Sequence, residues 1–153
     1  MDIEHILSAY GNMLYRLCFV MLQNESDAED AVQETLIQYF RKAPNFTDLE
    51  HEKAWLLKVA GNQCRDMLRF RKRHTHLDLT DIQAAAPEAP DASVLEALMQ
   101  LPEAFRLVMV LHYVEDYSVA EIAKIISRTP SAVKMRLQKG RKLLEELYRK
   151  EYL

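Results

Sequence analysis

Glycine and proline are scarce, with 3 and 5 copies among 153 residues, while leucine, alanine, glutamate, lysine, arginine and methionine are plentiful. So little turn chemistry beside so many helix formers predicts an almost entirely helical chain. Cysteine is sparser still. Cys18 and Cys64 both fall inside apolar helical patterns, and neither belongs to a metal-spaced cluster. They read as buried thiols in a reducing cytosol. No apolar stretch is long enough to cross a bilayer, and the N-terminus opens on acids rather than on a basic region before an apolar run. Membrane insertion and a secretory signal are therefore not expected, and the expected location is cytoplasmic. Phosphate-binding glycine loops, dinucleotide fingerprints and nucleophile motifs are all missing, and His74 and His76 have no third ligand nearby in sequence. An enzyme, a metal site and a cofactor are not expected.

Net charge is also small, at -3, but the charges are not mixed evenly. Acids crowd residues 25–34, and bases crowd residues 65–73 and 134–142. Counterion release is a local event, so a basic stripe matters more for nucleic-acid binding than the whole-chain sum.

Apolar spacing organises the chain. Ile3, Ile6, Leu7, Tyr10, Leu14, Leu17, Cys18, Met21 and Leu22 mark one face of a first helix. A second helix is predicted to begin at Ser26, with Glu29 completing a capping box, and Pro44 stops it. Its inward face is Ala28, Ala31, Val32, Thr35, Leu36, Tyr39 and Phe40. A third runs over residues 50–73, with Ala54, Leu57, Ala60, Cys64, Met67 and Leu68 inward. Three such helices can cover one another in a small bundle. From residue 75 to 92 the periodicity fails, and the stretch reads as an acidic, partly extended linker. The predicted fold is therefore all-α, with small helical domains over 1–74 and 93–153 joined by that linker.

Four short helical patterns fill the second domain. The first covers residues 93–100, and Pro102 opens the next at a favourable first position. Ser118 and Glu121 form a capping box for the third, and Thr129 with Pro130 starts the fourth, which extends to about Tyr148. Only Ser127 and Arg128 separate those last two, giving a helix-turn-helix over residues 117–140. Val133, Leu137, Gly140, Leu144 and Leu147 face inward, and Gly140 permits a close approach. Lys134, Arg136, Gln138, Lys139, Arg141 and Lys142 occupy the other side. A basic face by itself also suits a solvated bundle helix; the cap, the tight turn and the preceding helix favour major-groove DNA. Gln138 with Lys134 or Lys139 then suits base edges, and Arg136 and Arg141 suit phosphates.

The third helix carries a comparable stripe, Lys58, Asn62, Arg65, Arg69 and Arg73, with Trp55 one turn before it. Aromatic and basic groups on one face suit unwound DNA. Taken alone, a core tryptophan beside a solvated stripe is the more ordinary arrangement. The second helix turns Asp30, Gln33, Glu34 and Gln38 outward, with Ile37 among them, either plain surface or a docking patch for a basic partner.

Three stretches together resemble the extracytoplasmic-function (ECF) sigma factors of the sigma-70 family of bacterial RNA polymerase. Asp27-Ala-Glu-Asp-Ala-Val-Gln-Glu-Thr-Leu resembles the segment that docks on the β′ clamp helices. Glu52-Lys-Ala-Trp-Leu-Leu-Lys-Val-Ala-Gly-Asn-Gln-Cys-Arg-Asp resembles the −10 reading and melting segment. Leu101-Pro-Glu-Ala-Phe-Arg, Tyr117-Ser-Val-Ala-Glu-Ile-Ala and Ala132-Val-Lys-Met-Arg resemble the −35 reading domain. The resemblance implies that Asp30, Gln33, Glu34 and Ile37 meet the polymerase core, whose β and β′ subunits and promoter DNA are the partners. It implies that Trp55, Lys58, Asn62, Arg65, Arg69 and Arg73 serve the −10 element, Asn62 holding a flipped base. Ser131, Lys134, Met135, Arg136, Gln138, Lys139 and Arg141 fall where the −35 duplex is met. An anti-sigma factor is a further implied partner, and the linker threads toward the polymerase active centre. Ser127 stands where the family often has Gly, and Ser131-Ala132 where it often has Gly-Thr, so Thr129 or Ser131 must supply the lost phosphate contact. The other readings of the same residues are a regulator that dimerises through its N-terminal bundle on free DNA, and a protein-interaction module whose helix-turn-helix no longer binds DNA.

Overall fold

Helix α1 (Ile3–Leu22) buries Ile6, Leu14, Leu17 and Cys18 as its spacing predicts, and its final turns are apolar on every side. A helix wrapped that way belongs at the centre of its bundle. Ile3 and Leu7 were placed on the same face but are 49% and 42% exposed. Ile6 alone takes the inward position in that turn, so the buried stripe is narrower there. The chain leaves α1 through Gln23, at φ 59, whose N–H bonds the Phe19 carbonyl at 2.7 Å. This left-handed residue ends the helix.

Helix α2 (Glu25–Lys42) starts one residue earlier than the sequence suggested. Its cap is Asn24, which accepts from the Asp27 N–H at 2.9 Å, and not Ser26. Asparagine caps as well as serine, and lying nearer the left-handed turn it meets the first free N–H groups. Ala28, Ala31, Val32, Thr35 and Leu36 are buried as expected, whereas Phe40 is 50% exposed. Pro44 follows the end of the helix. Helix α3 (Leu49–Arg73), capped by Asp48, buries Leu56, Leu57, Ala60, Gly61 and Cys64. Ala54, Met67 and Leu68, expected inward, are half-buried. All three helices pack on one another.

The second bundle holds α4 (Ala92–Met99), α5 (Glu103–Met109), α6 (Val119–Ile126) and α7 (Pro130–Tyr152). Pro102 caps α5 from outside, at ψ 149, instead of occupying its first turn. Helix α5 runs on into a π turn over Val110–Val114 that the sequence did not announce. Leu107, Val108, Met109, Val110 and Leu111 are all buried, so this short rod is the centre of the bundle. The π turn closes with the Glu115 N–H on the Val110 carbonyl at 3.0 Å. One extra residue in the turn re-aims the chain toward α6.

Ser118 and Glu121 form the predicted capping box in both directions, at 3.2 and 3.0 Å. The two backbone and side-chain bonds to Ser118 hold the Glu121 carboxyl below its ordinary range. Ser127 sits at φ 56 between α6 and α7, and the Thr129 hydroxyl accepts from the Ala132 N–H at 3.1 Å. Helix α7 reaches Tyr152, one turn beyond the sequence expectation.

The computed structural model describes residues 3–74 and 92–152. The chain divides into two compact units, Met1–Pro87 and Glu88–Leu153. The acidic linker expected over 75–92 lies outside the described residues except Ala92, which opens α4.

Candidate nucleic-acid interface

On α7, the inward series of Val133, Leu137 and Gly140 is buried. A β-carbon on Gly140 would lie 3.0 Å from both Cγ and Sδ of Met109, so the glycine lets α7 seat directly on α5. That seam fixes which side faces out. Ser131, Lys134, Met135, Gln138, Lys139 and Arg141 are exposed, and Arg136 is half-buried. Lysines, an arginine, an amide and a thioether thus share a free edge beginning at the Thr129-capped end. Arg141 Nη1 donates to the Tyr113 hydroxyl at 3.0 Å. Tyr113 projects from the π turn and is 47% exposed. Nothing in the local sequence pattern singles it out, because its place depends on the irregular turn.

On α3, Lys58, Asn62, Arg69 and Arg73 are exposed, and Trp55 and Arg65 are half-buried. Arg65 donates to the Asn62 side-chain oxygen, and Arg69 pairs with Asp66 at 3.2 Å. The Trp55 ring lies edge-on to Tyr39 and Phe46, with centroids 6.0 and 5.9 Å apart. Tyr39 and Phe46 are themselves stacked at 6.1 Å. Trp55 is thus both a member of an aromatic cluster and the neighbour of the basic stripe. The basic run also contains a residue that does not join the stripe. Arg71 donates to the Leu22 carbonyl at 3.0 Å and meets Asp27 at 2.5 Å, tying the end of α3 to the α1–α2 junction.

On α2, Asp30 and Gln33 are exposed, Glu34 is half-buried and accepts from Gln38 at 3.1 Å, and Ile37 is 43% exposed. Phe40, which the sequence placed in the core, lies one turn beyond Ile37 on this outward side. The face is therefore acidic in its first turns and apolar toward its C-terminal end, a composition suited to a basic helical partner.

Glu52 carries no local sequence signal beyond its place in a motif. Its carboxylate is 3% exposed, and its two oxygens accept from Tyr10 and Tyr39, each at 2.7 Å. Burial first, then the bond to Glu52, pushes the Tyr39 phenol up to about 12 and raises Tyr10 for the same reasons. One side chain of α3 thus holds one hydroxyl from α1 and one from α2.

Among the described residues there is no cluster of His, Cys, Asp and Glu able to hold a metal ion, and no helix is long and apolar enough to cross a membrane.

Residues 6–74 match the family model for sigma-70 region 2, and residues 91–144 match that for sigma-70 region 4. The chain is 28% identical to the ECF RNA polymerase sigma factor SigW of Bacillus subtilis, covering 94% of this chain and 87% of that protein. It is 30% identical to SigV of the same organism, covering 91% and 86%, and 32% identical to CarQ of Myxococcus xanthus, covering 83% and 78%. Among solved structures, the fold resembles the sigma factor RpoE of Bartonella quintana, solved with the anti-sigma factor NepR, at a TM-score of 0.76, 23% identity and 98% coverage of both chains. It also resembles CnrH, solved with the cytosolic domain of CnrY, at 0.69 and 24%, covering 97% and 88%. With a region 2 model on its first bundle and a region 4 model on its second, this chain belongs to the ECF group of the sigma-70 family: it is a sigma factor for promoter recognition by RNA polymerase, in a family that catalyses no reaction of its own.

Proposed function

We propose that the three exposed faces divide the work of initiation. The acidic face of α2, with Asp30, Gln33, Glu34 and Ile37, docks on the β′ clamp helices of core polymerase, and the chain also meets the β subunit. The α3 stripe of Trp55, Lys58, Asn62, Arg65, Arg69 and Arg73 takes the unwound −10 strand, with Asn62 holding a flipped base. On α7, Lys134, Met135, Gln138 and Lys139 meet the −35 duplex, while Ser131, Arg136 and Arg141 suit its phosphates. Domain 2 is assigned to 1–74, domain 4 to 93–153, and the intervening residues lead toward the polymerase active centre.

The observation that carries this reading is the seam of Val133, Leu137 and Gly140, which turns the basic edge of α7 to solvent immediately beyond a tight turn. Unstacking DNA costs roughly a few kcal/mol per base step. Stacking a captured base on an aromatic group returns about 1–3 kcal/mol, and each phosphate contact adds a counterion-release term. Duplex and single-strand contacts on one chain thus offset the cost of melting without chemistry.

One solved relative was captured with an anti-sigma factor, NepR, and the other with the cytosolic domain of CnrY. By analogy this chain is also held by such a partner until a signal releases it, and it works in the cytoplasm beside polymerase. In-vitro transcription with core enzyme is the deciding experiment. Output from a cognate promoter should require this chain and fall with Gln33→Ala and Glu34→Lys, and Lys134→Ala should weaken promoter binding. A palindromic footprint on free DNA with no effect of core enzyme would sink the reading in favour of a dimeric regulator.

A further inference from the structure

We propose that Glu52 is a positioning residue for −10 capture, holding Tyr39 and through it the Trp55 cluster in one orientation at the head of the α3 stripe. This rests on the reading of that stripe as the −10 surface.

A buried carboxylate is costly unless its lone pairs are occupied. Here each oxygen takes one phenolic proton at 2.7 Å, and the two phenols come from different helices. The arrangement therefore sets the rotation of α3 against both α1 and α2 at one level. Apolar packing alone resists separation but tolerates sliding, whereas hydrogen bonds specify direction. Tyr39 passes that direction on, since its ring meets Trp55 edge-on and Phe46 face-on. Glu52 also lies one turn before Trp55 on α3, so both ends of the Tyr39 side chain are referred to the same turn. Glu52 itself makes no contact with DNA, because it is 3% exposed and its carboxylate is turned to the tyrosines. A negative group beside a basic stripe is thereby used for alignment, not for contact.

Removing all three polar partners separates alignment from stability. Glu52→Leu combined with Tyr10→Phe and Tyr39→Phe leaves no orphaned polar group, so unfolding should stay close to that of the parent chain. Binding of core polymerase should also be unchanged. The holoenzyme should hold a labelled single-stranded oligonucleotide of the −10 non-template sequence about tenfold more weakly, roughly the loss of one stacked base. Emission from Trp55, the single tryptophan, should shift in the free chain. Glu52→Gln can still accept from one phenol and donate to the other, and should restore most of the binding. If the triple variant fails to fold, Tyr39→Phe alone decides, with an expected weakening of about threefold for one lost bond.

Parental oligonucleotide affinity and unchanged Trp55 emission in the folded variant would overturn the proposal. So would a loss of core binding in step with the oligonucleotide, since that marks a general structural role. If the unmodified holoenzyme itself fails to hold the −10 strand, it is the reading of α3 that fails.

Discussion

The Tyr113 hydroxyl accepts from Arg141 across 3.0 Å, joining the π turn after α5 to the exposed edge of α7. This contact spans 28 residues of sequence and aims a guanidinium that would otherwise sweep a wide arc. Arg141→Ala should weaken promoter binding by a similar factor on every sequence, and should lower the salt slope of binding by about 1. Tyr113→Phe should leave the slope near its parental value while lowering affinity modestly. Fluorescence anisotropy at several salt concentrations reads both quantities.

Gly140 and Met109 form a close seam between α7 and α5. Gly140→Ala gains about 1 kcal/mol in helix propensity. The new methyl meets Met109, which is 1% exposed and would have to give by a few tenths of an ångström, and such overpacking costs about 1–3 kcal/mol. The net expectation is a loss of about 1 kcal/mol, reading these two terms against each other. In a Met109→Ala background the same substitution should stabilise instead, a reversal that a double-mutant cycle in urea will detect.

Tyr39 and Tyr10 give the first bundle a dependence on high pH. Both phenols are raised when folded, so below pH 10 they are protonated in folded and unfolded chains alike and their contribution is fully present. Above that value the unfolded chain releases protons that the folded chain keeps, so unfolding becomes easier as pH rises toward about 12, where the folded Tyr39 ionises. Urea unfolding followed by Trp55 emission should show stability flat up to about pH 9.5 and falling beyond it. Tyr39→Phe should flatten that fall.

Arg69 and Arg71 stand two residues apart with opposite expectations. Arg71 bonds the Leu22 carbonyl and Asp27 at roughly one-third exposure, so Arg71→Ala should cost about 1–2 kcal/mol of stability, less than a fully buried charged bond. Arg69 is paired with exposed Asp66 and is itself exposed, so Arg69→Ala should leave stability within about 0.5 kcal/mol. Its effect should appear in the salt dependence of −10 binding.

Much of the architecture is local, and is therefore written in the sequence. The spacing of Val133, Leu137 and Gly140 identifies the inner face of α7, and the Ser118–Glu121 and Thr129 caps mark the start of α6 and α7, because each depends on residues within one or two turns. The same locality explains the near misses. Ser26 satisfies the capping pattern, yet Asn24 wins because the left-handed Gln23 fixes where the helix can begin. Phe40 and Leu7 keep helical spacing with core residues but stay 50% and 42% exposed among the described residues, and coverage is not a property of one helix.

The sequence by itself determined two helical units, the helix-turn-helix and the basic and acidic faces, since periodicity and charge are read along a single chain. Only the tertiary structure decided that Glu52 faces two tyrosines, that Arg71 leaves the stripe and that Tyr113 reaches Arg141. Each of these joins residues 28 to 49 positions apart, apart from the nearer Tyr39. The helix-turn-helix is the clearest local feature, and in the proposed reading it is one half of a split reader. The other half would be the α3 stripe, beside the buried Glu52 carboxylate, and a buried polar group is selected by the partners that surround it in space, not by its neighbours in sequence.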